Sequence, residues 1–217
     1  MAAHAAHTSE RRSGRTAFAI AFVAVAVALT GAGAYAGLNA TATGTASVSS
    51  GTLSLTLAAG SGSAGFPQTI TNMAPGDVIN TYVDLSNGAT MAGQALTLGV
   101  TGSGSTTLTT NATKGLEVSV NQCSVAWTAT TGVCSGTTTP LGTASDPVAT
   151  LASTPTTLVS GSVATSTTYH LQVSLTLPNQ SETTVNGVTP TTTIQGLSTT
   201  LTYTFSENQR TATTTNE

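Results

Sequence analysis

The 217-residue sequence predicts an all-β protein, an antiparallel sandwich or barrel behind an N-terminal signal helix. Three observations lead there. Apolar and polar residues alternate over several short segments, the period of a strand with one buried face. Gly, Pro and Asn punctuate those segments, and no helical periodicity follows the leader. Hydrophobic residues make up 39 % of the chain and charged ones 6 %, so it lacks the low hydrophobicity and high net charge of a disordered polymer. Its abundant Thr and Val favour pleated surfaces.

Residues 1–36 carry the pattern of a secretory signal. Arg11, Arg12 and Arg15 form a basic n-region, Ala17–Leu29 an apolar h-region, and Ala34-Tyr35-Ala36 a small-residue cleavage site before Gly37. The h-region is shorter than the about 20 residues that span a bilayer. No stable membrane span is therefore expected after cleavage; an uncleaved anchor is the competing reading. The Arg11-Arg12 pair lacks the hydrophobic follow-up of twin-arginine export. A signal peptidase is an expected partner, and the mature chain is expected to be secreted, outside the cell or on its surface. The organisation read from the sequence is a signal peptide (1–36), a polar N-terminal arm (37–48), a β-sandwich domain (49–207) and a polar tail (208–217).

The arm, Gly37–Val48, reads as a flexible extension or as a strand lacking its own partner. The domain opens with SSGTLSLTL (Ser49–Leu57), where Leu53, Leu55 and Leu57 share one face and are expected to anchor the core. Ala74-Pro75-Gly76-Asp77 suits a type II turn, since Pro presets φ and Gly accepts positive φ. Ile79, Val83 and Leu85 form the next face, and Asn87-Gly88 is a second turn signal. Leu96, Leu98 and Val100 alternate in a further strand. After the Thr-rich connection 103–113 come Leu116, Val118 and Val120, and then Cys123, Val125 and Trp127. That change of parity predicts a bulge, or two strands at a corner. Residues 135–168 offer only Val148, Leu151, Leu158 and Val163 as anchors. Tyr169–Leu177 is a clear strand stopped by Pro178, and Leu197–Phe205 is the last one, with Leu197, Leu201, Tyr203 and Phe205 on one side.

Charge and chemistry exclude several functions. Beyond the leader only Lys114 and Arg210 oppose seven acids, which leaves no electrostatic footprint for nucleic acid. Cys123 and Cys134, an even pair in an exported chain, predict one disulfide around Trp127. Of three histidines only His170 follows the leader. It falls on the polar face of its strand and reads as exposed. A zinc hydrolase needs about three protein ligands, and no H-E-x-x-H helix supplies them. No nucleophile elbow accompanies His170 with Asp77, Asp84 or Asp146, because Gly60-Ser61-Gly62-Ser63 reads as a loop. Asp77 is expected to cap its turn rather than to bind calcium. No catalytic residue, cofactor or metal is expected.

Several motifs occur in a telling order after the leader: Gly51-Thr52-Leu53-Ser54-Leu55, then Asn72-Met73-Ala74-Pro75-Gly76-Asp77, then Asn87-Gly88, and finally Phe205-Ser206-Glu207-Asn208-Gln209. This order resembles the TasA/camelysin family of Gram-positive bacteria, biofilm-matrix fibre proteins processed by a SipW-type signal peptidase. The resemblance spans the leader, the first third of the mature domain and its last strand. It implies a jelly-roll-like sandwich and a secreted structural protein, a subunit that self-assembles into a homopolymer when the N-terminal arm of one copy adds a strand to the next. Some camelysin relatives are classed as metallopeptidases, a role that the lone His170 does not match. The alternatives are a monomeric surface binding or adhesion module, for which an exposed Trp127 would speak, and a camelysin-type secreted metallopeptidase.

Overall fold

The computed structural model describes residues 49–66, 72–104, 106–184, 186–188, 190 and 193–216. The expected signal peptide, its cleavage site at Ala34, Ala36 and Gly37, and the arm to Val48 lie outside the described residues. Among the described residues, eight strands and two single-turn helices follow in the order β1 (Leu55–Ala59), β2 (Val78–Asn87), β3 (Gly93–Gly102), α1 (Thr107–Thr110), β4 (Glu117–Cys123), β5 (Thr138–Pro147), α2 (Val148–Leu151), β6 (Thr156–Val163), β7 (Thr167–Thr176) and β8 (Leu201–Gln209). One turn is too short to show a helical period, which is why the sequence gives no sign of α1 or α2.

The strands form two antiparallel sheets, one ordered β1-β2-β7-β4-β5 and the other β6-β3-β8, in an all-β, sandwich-like fold. Alternation explains each inner face. In β2, Val83 and Leu85 point inward; in β7, Leu171 and Val173 do so; in β3, Leu96, Leu98 and Val100 answer them, and all seven are almost completely buried. Val148 and Leu151 of α2 and Leu108 of α1 join the same core, so both helical turns close it with apolar side chains.

The turn at Ala74-Pro75-Gly76-Asp77 forms as expected. The Asp77 amide donates to the Ala74 carbonyl at 2.9 Å, Gly76 takes φ +95°, and the Asp77 carboxylate accepts from the Ala74 amide at 2.7 Å. Asn87 does more than mark a turn. It is wholly buried; its side chain donates to the Val163 carbonyl at 3.1 Å and accepts from the Ala89 amide at 3.0 Å. The end of β2 is thereby tied to β6 in the other sheet.

Four expectations change. Of Leu53, Leu55 and Leu57 only Leu55 packs against the core, half-buried: Leu53, before β1, is 39 % exposed and Leu57 45 %, because β1 is an edge strand beside an open groove. The last strand begins at Leu201 and runs to Gln209, and Leu197 lies exposed before it. The parity change after Val120 is neither a bulge nor a corner in β4, whose pairing with β7 runs unbroken from Glu117 to Cys123. Val118 and Val120 face the inter-sheet core, whereas Cys123 belongs to a second apolar cluster with Tyr82 and Trp127. The irregularity sits instead in the β4–β5 pairing, between Val118 and Val120. His170, finally, is half-buried and paired with Asp84.

Candidate functional site

The candidate site is built from two strand edges. β1 bonds only to β2, and β8 only to β3, among the described strands. Among the described residues, each leaves one row of peptide groups without a ladder partner, a template for another strand. β5 and β6, the far edges of the two sheets, approach each other. Between β1 and β8 lies instead an open groove of about 260 Å³, lined by Leu55, Leu57, Leu85, Tyr203, Thr204 and Phe205. Inward positions of both strands thus face a space with too little protein to fill it. Phe66 covers part of the aromatic wall, stacked on Tyr203 with ring centroids 4.1 Å apart and tilted against Phe205 at 6.2 Å. Burial pushes the Tyr203 phenol up to about 12.

Glu207 continues the inward row of β8 two positions beyond Phe205. Opposite it β3 bulges: Gln94 pairs with Asn208 and Thr97 with Ser206, which leaves Ala95 and Leu96 facing the one residue. Ala95 takes φ +56° to make the bulge. Gly93 stands against the Glu207 carboxylate, where a Cβ would collide with it. Both carboxylate oxygens are shielded from solvent and have no hydrogen-bond partner among the described residues. Desolvation accordingly raises the Glu207 pKa. The Tyr169 phenol is raised too, by its own burial and then by the Glu207 charge.

The outer face of the larger sheet holds the other sequence candidates. Asn80, Tyr82, Asp84 and Ser86 of β2 stand opposite Ser174, Gln172, His170 and Thr168 of β7. Each pair is hydrogen-bonded: Ser174 to Asn80 at 2.7 Å, Gln172 to the Tyr82 hydroxyl at 3.1 Å, His170 Nδ1 with Asp84 at 2.6 Å, and Ser86 with Thr168 at 2.9 Å. Alternation had assigned His170 to the polar face but could not reveal its partner 86 residues away.

The Cys123–Cys134 disulfide is formed. It holds the connecting loop over this outer face, where Trp127 is buried against Cys123 and Tyr82 and donates its indole N–H to the His170 carbonyl at 3.0 Å. Trp127 therefore offers no stacking platform to a ligand.

The described residues contain no group of three or more His, Cys, Asp or Glu side chains that could hold a metal ion. Asp84 and His170 bond to each other, and both cysteines are oxidised. This donor set does not fit a catalytic metal, which needs about three convergent protein ligands. Asp77 is likewise committed to its own turn. Among the described residues no helix is long and apolar enough to cross a membrane.

Sequence reasoning missed the groove and Glu207. The arm itself held a further signal: Leu38, Ala40, Ala42, Gly44, Ala46 and Val48 alternate with Asn39, Thr41, Thr43, Thr45 and Ser47, strand periodicity written in small residues. No curated protein matches the chain. The family described as camelysin metallo-endopeptidase matches residues 13–214, nearly the whole sequence, and the chain belongs to this camelysin/TasA family.

Proposed function

We propose that the chain is a secreted, non-enzymatic structural protein, a self-assembling matrix or surface-fibre subunit in which the arm Gly37–Val48 of one copy fills the β1–β8 groove of the next. The observation that carries this reading is Leu57. It points between the sheets, yet is 45 % exposed, in a groove flanked by two strand edges that have no partner among the described residues. One added strand would bury that face and satisfy an edge with main-chain hydrogen bonds.

The arm suits the role on three counts. Its strand periodicity presents Ala40, Ala42, Gly44 and Ala46 where the wall offers Leu and aromatic side chains, so small meets large. It has no charged side chain to desolvate. Twelve extended residues reach about 40 Å, ample for the nine residues of β8. A head-to-tail contact of this kind need not close on itself, and one that does not close gives a filament. The n-region, h-region and small-residue site of residues 1–36 support export, and removal of the leader would free the arm for its neighbour.

Electron microscopy of the processed chain, beside a variant lacking residues 37–48, tests the reading. Filaments are expected from the first and monomers from the second; filaments that survive loss of the arm would refute strand donation. The family description also names a peptidase activity. Casein hydrolysis by the purified protein that a chelator abolishes would overturn the non-enzymatic part.

A further inference from the structure

Resting on that reading, we propose that Glu207 is the polar anchor of the groove and that its carboxylate receives the α-ammonium group of Gly37 from the incoming arm. Both carboxylate oxygens are shielded and without a hydrogen-bond partner among the described residues, an arrangement costly to fold around, and β3 bulges opposite them with Gly93, which has no side chain, beside the carboxylate. The space and the charge are thus kept together, at a strand position contiguous with the groove wall. Glu207 follows Tyr203 and Phe205 in the inward row of β8. Its charge also acts on Tyr169, which pairs with Leu85 of the groove floor.

The chemistry of the occupant narrows the partner group. Every even-numbered position of the arm from Leu38 to Val48 is apolar or glycine, and the arm contains no Lys, Arg or His. With that face turned into the groove, no side chain of the arm can satisfy the carboxylate. Processing after Ala36 creates one cation, the ammonium of Gly37, at the end of the same strand. An ammonium offers three donors, and pairing it with Glu207 neutralises both buried charges at once. The register of the donated strand would then be set by its terminus. An immature chain, whose amine is locked in a peptide bond, would lack the anchor.

A synthetic peptide of residues 37–48, labelled at its C-terminus, provides the test. Its binding to the processed full-length protein, held below its assembly concentration, is measured by fluorescence anisotropy with the α-amine either free or acetylated. The free-amine peptide is expected to bind at least tenfold more tightly, and the difference to vanish in Glu207→Gln. Equal binding of the two peptides to the wild-type protein overturns the anchor while leaving strand donation standing. The anchor also falls if Glu207→Gln weakens both peptides alike, since Glu207 would then act only on the shape of the groove. Failure of either peptide to bind, with no filaments from the processed chain, overturns both proposals. The wild-type comparison decides the matter even should the variant fold poorly.

Discussion

Asn87 shows how one polar side chain can fasten two sheets. Buried completely, it bonds to Val163 and Ala89 through its side chain, and its carbonyl accepts from the Ser166 amide at 2.8 Å. Asn87→Ala removes both side-chain bonds and leaves a buried carbonyl and a buried amide short of partners. A loss of about 2–3 kcal/mol is expected, read as a lower midpoint in urea unfolding. Glu182 ties the Thr193–Ile194 segment to Lys114. The Thr193 hydroxyl bonds to its carboxylate, and although desolvation opposes, the Ile194 amide and Lys114 assist in holding its pKa below the usual 4.5. The folded value lies below the unfolded one, so the contribution is fully present above pH 4.5 and is lost as pH falls through the folded value. Glu182→Gln should therefore flatten the acid limb of a stability–pH curve, and an unchanged limb would contradict the assignment. Glu207 has the opposite sign. Its raised pKa means that ionisation near neutrality works against the fold, consistent with a carboxylate waiting for a partner.

At the scale of elements, β1 and the disulfide loop make contrasting predictions. Leu57 touches the groove but contributes little to the subunit's own core. Leu57→Asp should thus change the stability of the isolated subunit by less than about 1 kcal/mol, while placing a charge where the proposed incoming strand would lie. Abolished filament formation with an unchanged melting temperature is the expected pair of results. Unaltered filaments would remove the groove from the assembly. The loop between Cys123 and Cys134 is local and tightly sewn. Replacing both cysteines by serine should cost about 2–3 kcal/mol in the chain-entropy model. Trp127, the single tryptophan, should then shift its fluorescence to the red as it loses contact with Cys123 and Tyr82. Neither change touches the groove, so filaments should still form from the fraction that remains folded.

Over the whole molecule, the sequence by itself determined which side of β2, β3, β7 and β8 is apolar, where the Pro75-Gly76 turn falls, and that the two cysteines join. These are properties of neighbours in the chain: a period of two, a residue with fixed φ beside one that accepts positive φ, and an even cysteine count. The all-β class and the family resemblance followed from the same local signals. Only the tertiary structure decided which strands are edges. Alternation states that Leu55 and Leu57 face inward, but not whether a strand of the other sheet covers them, and β8 stops short of doing so. The pairing of Asp84 with His170, the cluster around Cys123 and the place of Glu207 opposite the β3 bulge likewise depend on registers between segments far apart in the chain. Such pairing is a property of the closed sheets, whose free energy comes from contacts among distant residues and not from the pattern within any one strand.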